Sequence, residues 1–217
     1  YEISACLVGS EMCIRDSDVD AAILASVVPV LTSRMREALE KMTNAPLMEV
    51  GPGLKSGVRI RMDNPAQLGG ELLCAAVGAL QTHKPPLLVM NMDTAATLVA
   101  VDAEGSIVGG VILPSPALSL SALVRNTAQL PQIDIAAPAS AISTNTVDCM
   151  RSGTVYGTAA MIDGMVARFQ QELGQPAKVV ITGGLGAAIA KYCTVDAVVD
   201  RDLLLDGLRI VYQKNQK

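Results

Sequence analysis

Between Leu87 and Gly110 three apolar runs are separated by two short polar turns, and that rhythm leaves few ways for the neighbouring chain to fold. Leu87-Leu88-Val89-Met90 ends in Asn91-Met92-Asp93-Thr94-Ala95-Ala96-Thr97. Leu98 to Val101 follows, Asp102-Ala103-Glu104-Gly105 turns the chain again, and a third run closes at Gly109-Gly110. Apolar runs of this length, bounded by Asp, Thr and Gly, predict strand, turn, strand, turn, strand. A turn of small and hydroxyl residues between buried strands can bring backbone N–H groups and Thr side chains close to phosphate oxygens. The same residues also suit an ordinary hairpin tip, and taken alone the stretch favours that plainer reading.

The segments on either side alternate between strand and helix patterns. Val19 to Val28 is an apolar run stopped by Pro29 and predicts a buried strand. Thr32 is placed to cap a helix reaching about Lys41, with Met35, Leu39 and Met42 on one face. Leu47 to Val50 reads as a strand entering Gly51-Pro52-Gly53, and Val58 to Met62 alternates as a further strand. Asn64 and Pro65 open a helix from Ala66 to Leu80 whose buried side is Leu68, Leu72, Leu73, Val77 and Leu80. His83-Lys84-Pro85-Pro86 is a linker, because prolines stop a helix and bias the preceding residue to extended geometry. Beyond Gly110, helices are expected over Ser119–Ala128 and from Thr146 onward, joined by an extended Pro131–Pro138. Gly153, Gly157 and Gly164 weaken the second of these as a continuous helix. Lys178 to Thr182 is a strand leading into Gly183-Gly184-Leu185-Gly186, Ala197 to Val199 a last strand, and Asp202 begins the closing helix. Half of the chain is apolar but only 2% is aromatic, with no Trp, so the core must be built from Leu, Val, Ile, Ala and Met. That suits helices layered on sheet, an α/β fold.

Charge and cysteine usage exclude several classes. A net charge of −4 with no basic block gives no nucleic-acid footprint. No run of about 18 apolar residues is available to span a membrane. Residues 1–17 are set aside as a non-native leader, because Leu7 to Ser17, LVGSEMCIRDS, resembles the translation of a transposase-type sequencing adapter. Cys6 and Cys13 go with it. Cys74, Cys149 and Cys193 lie in apolar or helical settings without CxxC or Cys/His spacing, which points to a reducing cytoplasm rather than to disulfides or zinc. His83, the only histidine, has no acid–base partner nearby in sequence and is read as a loop residue.

Seven short segments occur in an order and spacing that resembles type III pantothenate kinases, from about Asp18 to the C-terminus. They are Gly51-Pro52-Gly53-Leu54-Lys55-Ser56-Gly57, Asp63-Asn64-Pro65, Gly69-Gly70-Glu71, the Thr94 turn, Gly109-Gly110, Asn145-Thr146 and Thr182-Gly183-Gly184-Leu185. The resemblance implies a two-domain fold of the actin and sugar-kinase, ribonuclease H-like type, with ATP between the domains. It implies an incomplete first domain over 18–84 and a second over 85–217. It also implies transfer of phosphate from ATP to pantothenate, the first step towards coenzyme A, by a cytoplasmic homodimer using Mg2+ and a monovalent cation, K+ or NH4+.

Residue by residue, the resemblance makes Glu71 the general base, where the family has an aspartate. Gly69, Gly70, Leu72, Lys55 and Thr146 become pantothenate-pocket residues, with Leu72 replacing a family arginine. Thr94, Gly183 and Gly184 become nucleotide-binding, and Asn91 the cation ligand where the family has an aspartate. Asp93 stands where the family has glycine, so its carboxylate either replaces the charge lost at Asn91 or repels ATP. Without the resemblance, Lys55 is a surface lysine, Glu71 a solvated helix residue, Thr146 a helix-start residue and the glycines a strand-to-helix turn. No Asp-x-Gly-Asn-Thr turn of the family type precedes Asp18. The resemblance therefore implies half a phosphate grip and an open sheet edge in the first domain. The departures at 71, 72, 91 and 93 motivate an alternative, an impaired relative acting as a ligand-binding or dimerising protein.

Overall fold

The computed structural model describes residues 4–8 and 19–216. In chain order its elements are β1 (Ser4–Val8), β2 (Ala21–Ala25), α1 (Pro29–Met42), β3 (Leu47–Glu49), α2 (Gly70–Thr82), β4 (Leu87–Met92), β5 (Ala95–Val101), β6 (Ile107–Pro114), α3 (Pro116–Asn126), α4 (Thr146–Leu173), β7 (Lys178–Thr182), α5 (Gly186–Ala190), β8 (Ala197–Val199) and α6 (Leu203–Asn215). A short 3-10 turn occupies Pro65–Gln67. The chain divides into two compact units. The first runs to Lys84 and takes in Gly105–Val108 and the stretch from Asp202; the second is Pro85–Glu104 with Gly109–Arg201.

The first unit is built on a sheet of order β1-β2-β3, with β2 antiparallel to β1 and parallel to β3. Every residue of β2 is buried. Ala21, Ile23 and Ala25 pack with Cys74 and Val77 of α2 and with Leu208, Val211 and Tyr212 of α6. A Cβ on Gly78 would stand 2.2 Å from the Leu203 carbonyl oxygen, and one on Gly207 would stand 1.8 Å from that of Cys74. The two helices therefore meet backbone to backbone, and only glycine fits at each crossing point. This reciprocal fit corrects the boundary placed at residue 217: α6 closes the first unit, not the second. It also explains why the buried stripe of α2 is Cys74 to Ala79 rather than the expected leucines.

Several boundaries move for local reasons. Helix α1 starts at Pro29, whose fixed φ suits the first helical position, and the Thr32 hydroxyl donates to the Val28 carbonyl from inside the helix. Asn64 caps only the 3-10 turn, accepting from Ala66 N–H, and α2 begins afresh after Gly69. Val58 to Met62 forms no strand; Ile60 makes a single parallel bridge to Ile107. Within the leader set aside, Ser4–Val8 pairs with Ala25–Ala21 and occupies the edge of β2 expected to be open. The rest of the leader, Asp18 and Lys217 lie outside the described residues.

The second unit carries a sheet of order β6-β5-β4-β7-β8. The three apolar runs become β4, β5 and β6, and β4 and β5 pair from Leu87↔Val101 to Met92↔Ala96, so the turn shrinks to Asp93 and Thr94. Strand β7 lies parallel to β4, and β8 parallel to β7. Helix α3 is capped by Ser115, whose hydroxyl oxygen accepts from Leu118 N–H. Helix α4 runs for 28 residues straight through Gly153, Gly157 and Gly164, capped by Asn145 and ended by Gly174 at φ 70°. The expected weakening at its glycines does not break it, because Met150, Val155, Ala159, Ile162 and Val166 bury one continuous side.

Candidate active site

The residues expected at a nucleotide, Thr94, Gly183 and Gly184, lie in two neighbouring turns of the second unit. Strands β4 and β7 are neighbours running the same way, so the turn after β4 and the turn after β7 emerge together at their carboxyl ends. In open α/β sheets that edge is where ligands bind. The Asp93–Thr94 turn is held by a bond from Asp93 N–H to the Ala95 carbonyl (3.2 Å) and by the Ser115 hydroxyl donating to the Thr94 carbonyl (2.9 Å). Across from it, Gly183 adopts φ 91°. A Cβ there would lie 2.6 Å from Met92 N and 2.7 Å from Asn91 Oδ1. Only glycine can make this turn while approaching β4 so closely.

Asn91 and Gly183 thus stand in close approach, with Thr94 and Gly184 next to them in the same two turns. Asn91 is buried within β4, and its Oδ1 has no hydrogen-bond partner among the described residues. An orphaned carbonyl-type oxygen costs stability unless a donor or cation reaches it. Asp93 comes with them: its Oδ1 accepts from Gly184 N–H at 2.6 Å.

The first unit holds a separate cavity of about 580 Å³. Gly51 to Leu54 form one wall, Asn64 to Gly70 another, and Val27, Val50 and Leu73 supply apolar floor. A Cβ on Gly70 would stand 3.0 Å from Val50 Cγ1, so glycine lets the start of α2 close on the strand ends. Gly69 and Gly70 line this cavity; Lys55, Glu71 and Leu72 are not among its lining residues. Glu71 sits in the first turn of α2, one turn before Cys74. Burial, helped by the Glu71 charge, pushes the Cys74 thiol up to about 12, so this cysteine stays a protonated core residue. Lys55 is exposed, and its backbone is clamped by Asn215 of α6: Asn215 Oδ1 accepts Lys55 N–H and Nδ2 donates to Lys55 O, both at 2.9 Å.

Thr146 lies elsewhere in the second unit. It is the first residue of α4 and borders an apolar groove of about 560 Å³ between α3 and α4, with Leu123, Leu130, Met150 and Met161. The irregular stretch before α4 is strapped to it by an Arg151–Asp134 ion pair, by Ser152 donating to Ala141 O (2.6 Å) and by Tyr156 donating to Pro138 O (2.9 Å). The hydrogen bond from Arg151 holds the Asp134 carboxyl below its ordinary range.

Sequence reasoning missed Asn215, Ser115 and the Asp93–Gly184 contact. Ser115 carried a signal, a serine directly before proline at a helix start; Asn215 carried none.

Comparison with known proteins adds the following. A family profile described as Type III pantothenate kinase matches residues 5–168, so the match starts ahead of Asp18. A type III pantothenate kinase from Myxococcus xanthus is 41% identical over 197 residues, covering 91% of this chain and 77% of that protein. One from Rhodospirillum centenum is 42% identical over 203 residues, covering 91% and 78%. Among solved structures, a Campylobacter jejuni protein described as a conserved Baf family transcriptional activator aligns over 87% of this chain and 80% of its own. Its TM-score is 0.58 and its identity 20%, a likeness of fold.

Proposed function

We propose, from the premise that this chain belongs to the type III pantothenate kinase family, that it transfers the γ-phosphoryl group of ATP to the primary hydroxyl of pantothenate, opening coenzyme A biosynthesis. The observation that carries the site assignment is the juxtaposition of the Asp93–Thr94 and Gly183–Gly184 turns at the carboxyl ends of adjacent parallel strands. Membership of this kinase family favours this reading over a non-catalytic relative.

In this reading Glu71 takes the hydroxyl proton as the alcohol oxygen bonds to the γ-phosphorus. The bond from that phosphorus to the β,γ-bridging oxygen breaks, and ADP leaves with the electron pair. Thr94 and the Gly183–Gly184 backbone hold the nucleotide. The cavity at Gly51–Leu54 and Gly69–Gly70 takes pantothenate, whose carboxylate is attracted to the uncapped start of α2 and to the cation of Lys55.

The orphaned Asn91 Oδ1 fits one ligand position of a monovalent cation such as K+ or NH4+, which would neutralise phosphate charge. Among the described residues no group of three or more His, Cys, Asp or Glu forms a metal cage, which fits Mg2+ arriving on the nucleotide's phosphates.

A homodimer through α4 belongs to the same reading. A Cβ added at Gly153 or Gly157 would meet nothing within 4 Å, and Leu118 and Leu123 of α3 are 50% and 43% exposed. An open apolar face of this kind suits a symmetric second copy. Free Cys74, Cys149 and Cys193 fit the cytoplasm as its compartment, and no helix among the described residues is long and apolar enough to cross a membrane.

The test is complementation. Expressed in a bacterium stripped of its own pantothenate kinase, the chain should restore growth. Failure to do so, with the folded protein present in the extract, would count against the assignment.

A further inference from the structure

We propose that Asp93 is a built-in anionic occupant of the glycine turn, one that a nucleotide phosphate must displace, so that this side chain sets how tightly the chain holds phosphorylated nucleotides. The proposal rests on the nucleotide reading of the Gly183–Gly184 turn.

Three consecutive N–H groups leave β7 and enter α5, and each already has an acceptor. Gly186 N–H donates to the Gly183 carbonyl (3.0 Å) and Leu185 N–H to the Met92 carbonyl (3.2 Å). Gly184 N–H donates to Asp93 Oδ1 (2.6 Å). Two of the three acceptors are backbone atoms fixed by the sheet and the turn. The third is a rotatable side chain, so Gly184 N–H is the donor of this set that a phosphate oxygen can gain without unfolding anything.

Its present occupant is well held. Backbone bonds at Asp93 and the Ser115–Thr94 bond fix the turn from which the carboxylate projects. The contact is short and charge-assisted. No lysine or arginine among the described residues forms an ion pair with Asp93. No side-chain cation among the described residues neutralises it at close range, so a phosphate approaching Gly184 meets a carboxylate at contact range. Of the two outcomes open at the sequence level, the geometry supports repulsion: the carboxylate stands on the phosphate's donor.

The experiment measures binding of ATP, ADP and adenosine to the parent chain, D93N and D93G by calorimetry, with melting temperatures as a check on folding. D93N removes the charge and keeps an acceptor; D93G also frees the N–H. Both variants should bind ATP and ADP roughly tenfold more tightly than the parent, while adenosine, which has no phosphate, binds equally to all three. Unchanged or weaker ATP binding in both variants, with measurable binding to the parent, overturns the proposal and leaves the nucleotide reading standing. Tighter adenosine binding in step with ATP also overturns it, since the turn has then merely been loosened. Absence of binding by any of the three ligands to any of the three proteins overturns the nucleotide reading and the proposal with it.

Discussion

Glu71 stands in the first turn of α2, beside the Gly69–Gly70 wall of the cavity in the first unit. If it is the general base, Glu71→Gln should lower turnover by roughly 10²–10⁴ with pantothenate binding retained, the usual effect of removing a positioned base. Near-parent turnover would leave it a half-buried structural residue of the helix, not the solvated one expected without the resemblance. Asn215 makes a different claim, since its side chain bonds the backbone of Lys55 in the loop beside the cavity, as well as the Val211 carbonyl of its own helix. Asn215→Ala should raise the KM for pantothenate severalfold and leave the KM for ATP unmoved. Equal changes in both would mean a general loss of structure. Neither contact of this kind could be read from the chain. The partners of the Asp93–Gly184 bond are 91 residues apart and those of the Lys55–Asn215 clamp 160 apart, and no periodicity or local motif links such positions. Glu71, Thr94 and Gly183 are proposed as site residues only because short motifs around them keep a family's spacing.

At the scale of elements, strands were easier to read than helix ends. β2, β4, β5 and β7 are buried runs flanked by turn residues, and their existence follows from hydropathy. The start of α2 was misjudged because Asn64-Pro65 is a sound cap that the chain uses for a single 3-10 turn before restarting at Gly69. The α2–α6 crossing makes a strong prediction: Gly207→Ala should destabilise the fold by about 3 kcal/mol or more, read from urea unfolding, because the new methyl group has the Cys74 carbonyl in its place. A second prediction concerns the link between α4 and the loop before β8. Burial pushes the Asp163 carboxyl up, but bonds from the Thr194 N–H and hydroxyl and from Val195 N–H outweigh it and hold the carboxyl below its ordinary value. A depressed carboxyl stabilises the fold fully above the unfolded value, about 3.9, and loses that contribution as pH falls through the lower folded value. The stability gap between parent and Asp163→Asn should therefore narrow below about pH 4. A gap constant to the lowest pH at which the chain folds would contradict the assignment.

For the molecule as a whole, α/β layering and an actin and sugar-kinase type of fold were legible, but the return of the C-terminal helix to the first unit was not. That return depends on glycines at 78 and 207 meeting backbone, and glycine inside a helix pattern reads locally as a weakness. The open side of α4 predicts a dimer of constant mass by light scattering across a wide concentration range; a monomer throughout would remove that part of the account. The central claim, phosphoryl transfer to pantothenate, is tested most directly by incubating the purified chain with γ-labelled ATP, Mg2+, K+ and pantothenate and following the label. Label should pass to pantothenate at its primary hydroxyl, and should fail to do so with the Glu71→Gln variant. Label released only as inorganic phosphate, or retained on ATP although both substrates bind, would contradict the claim.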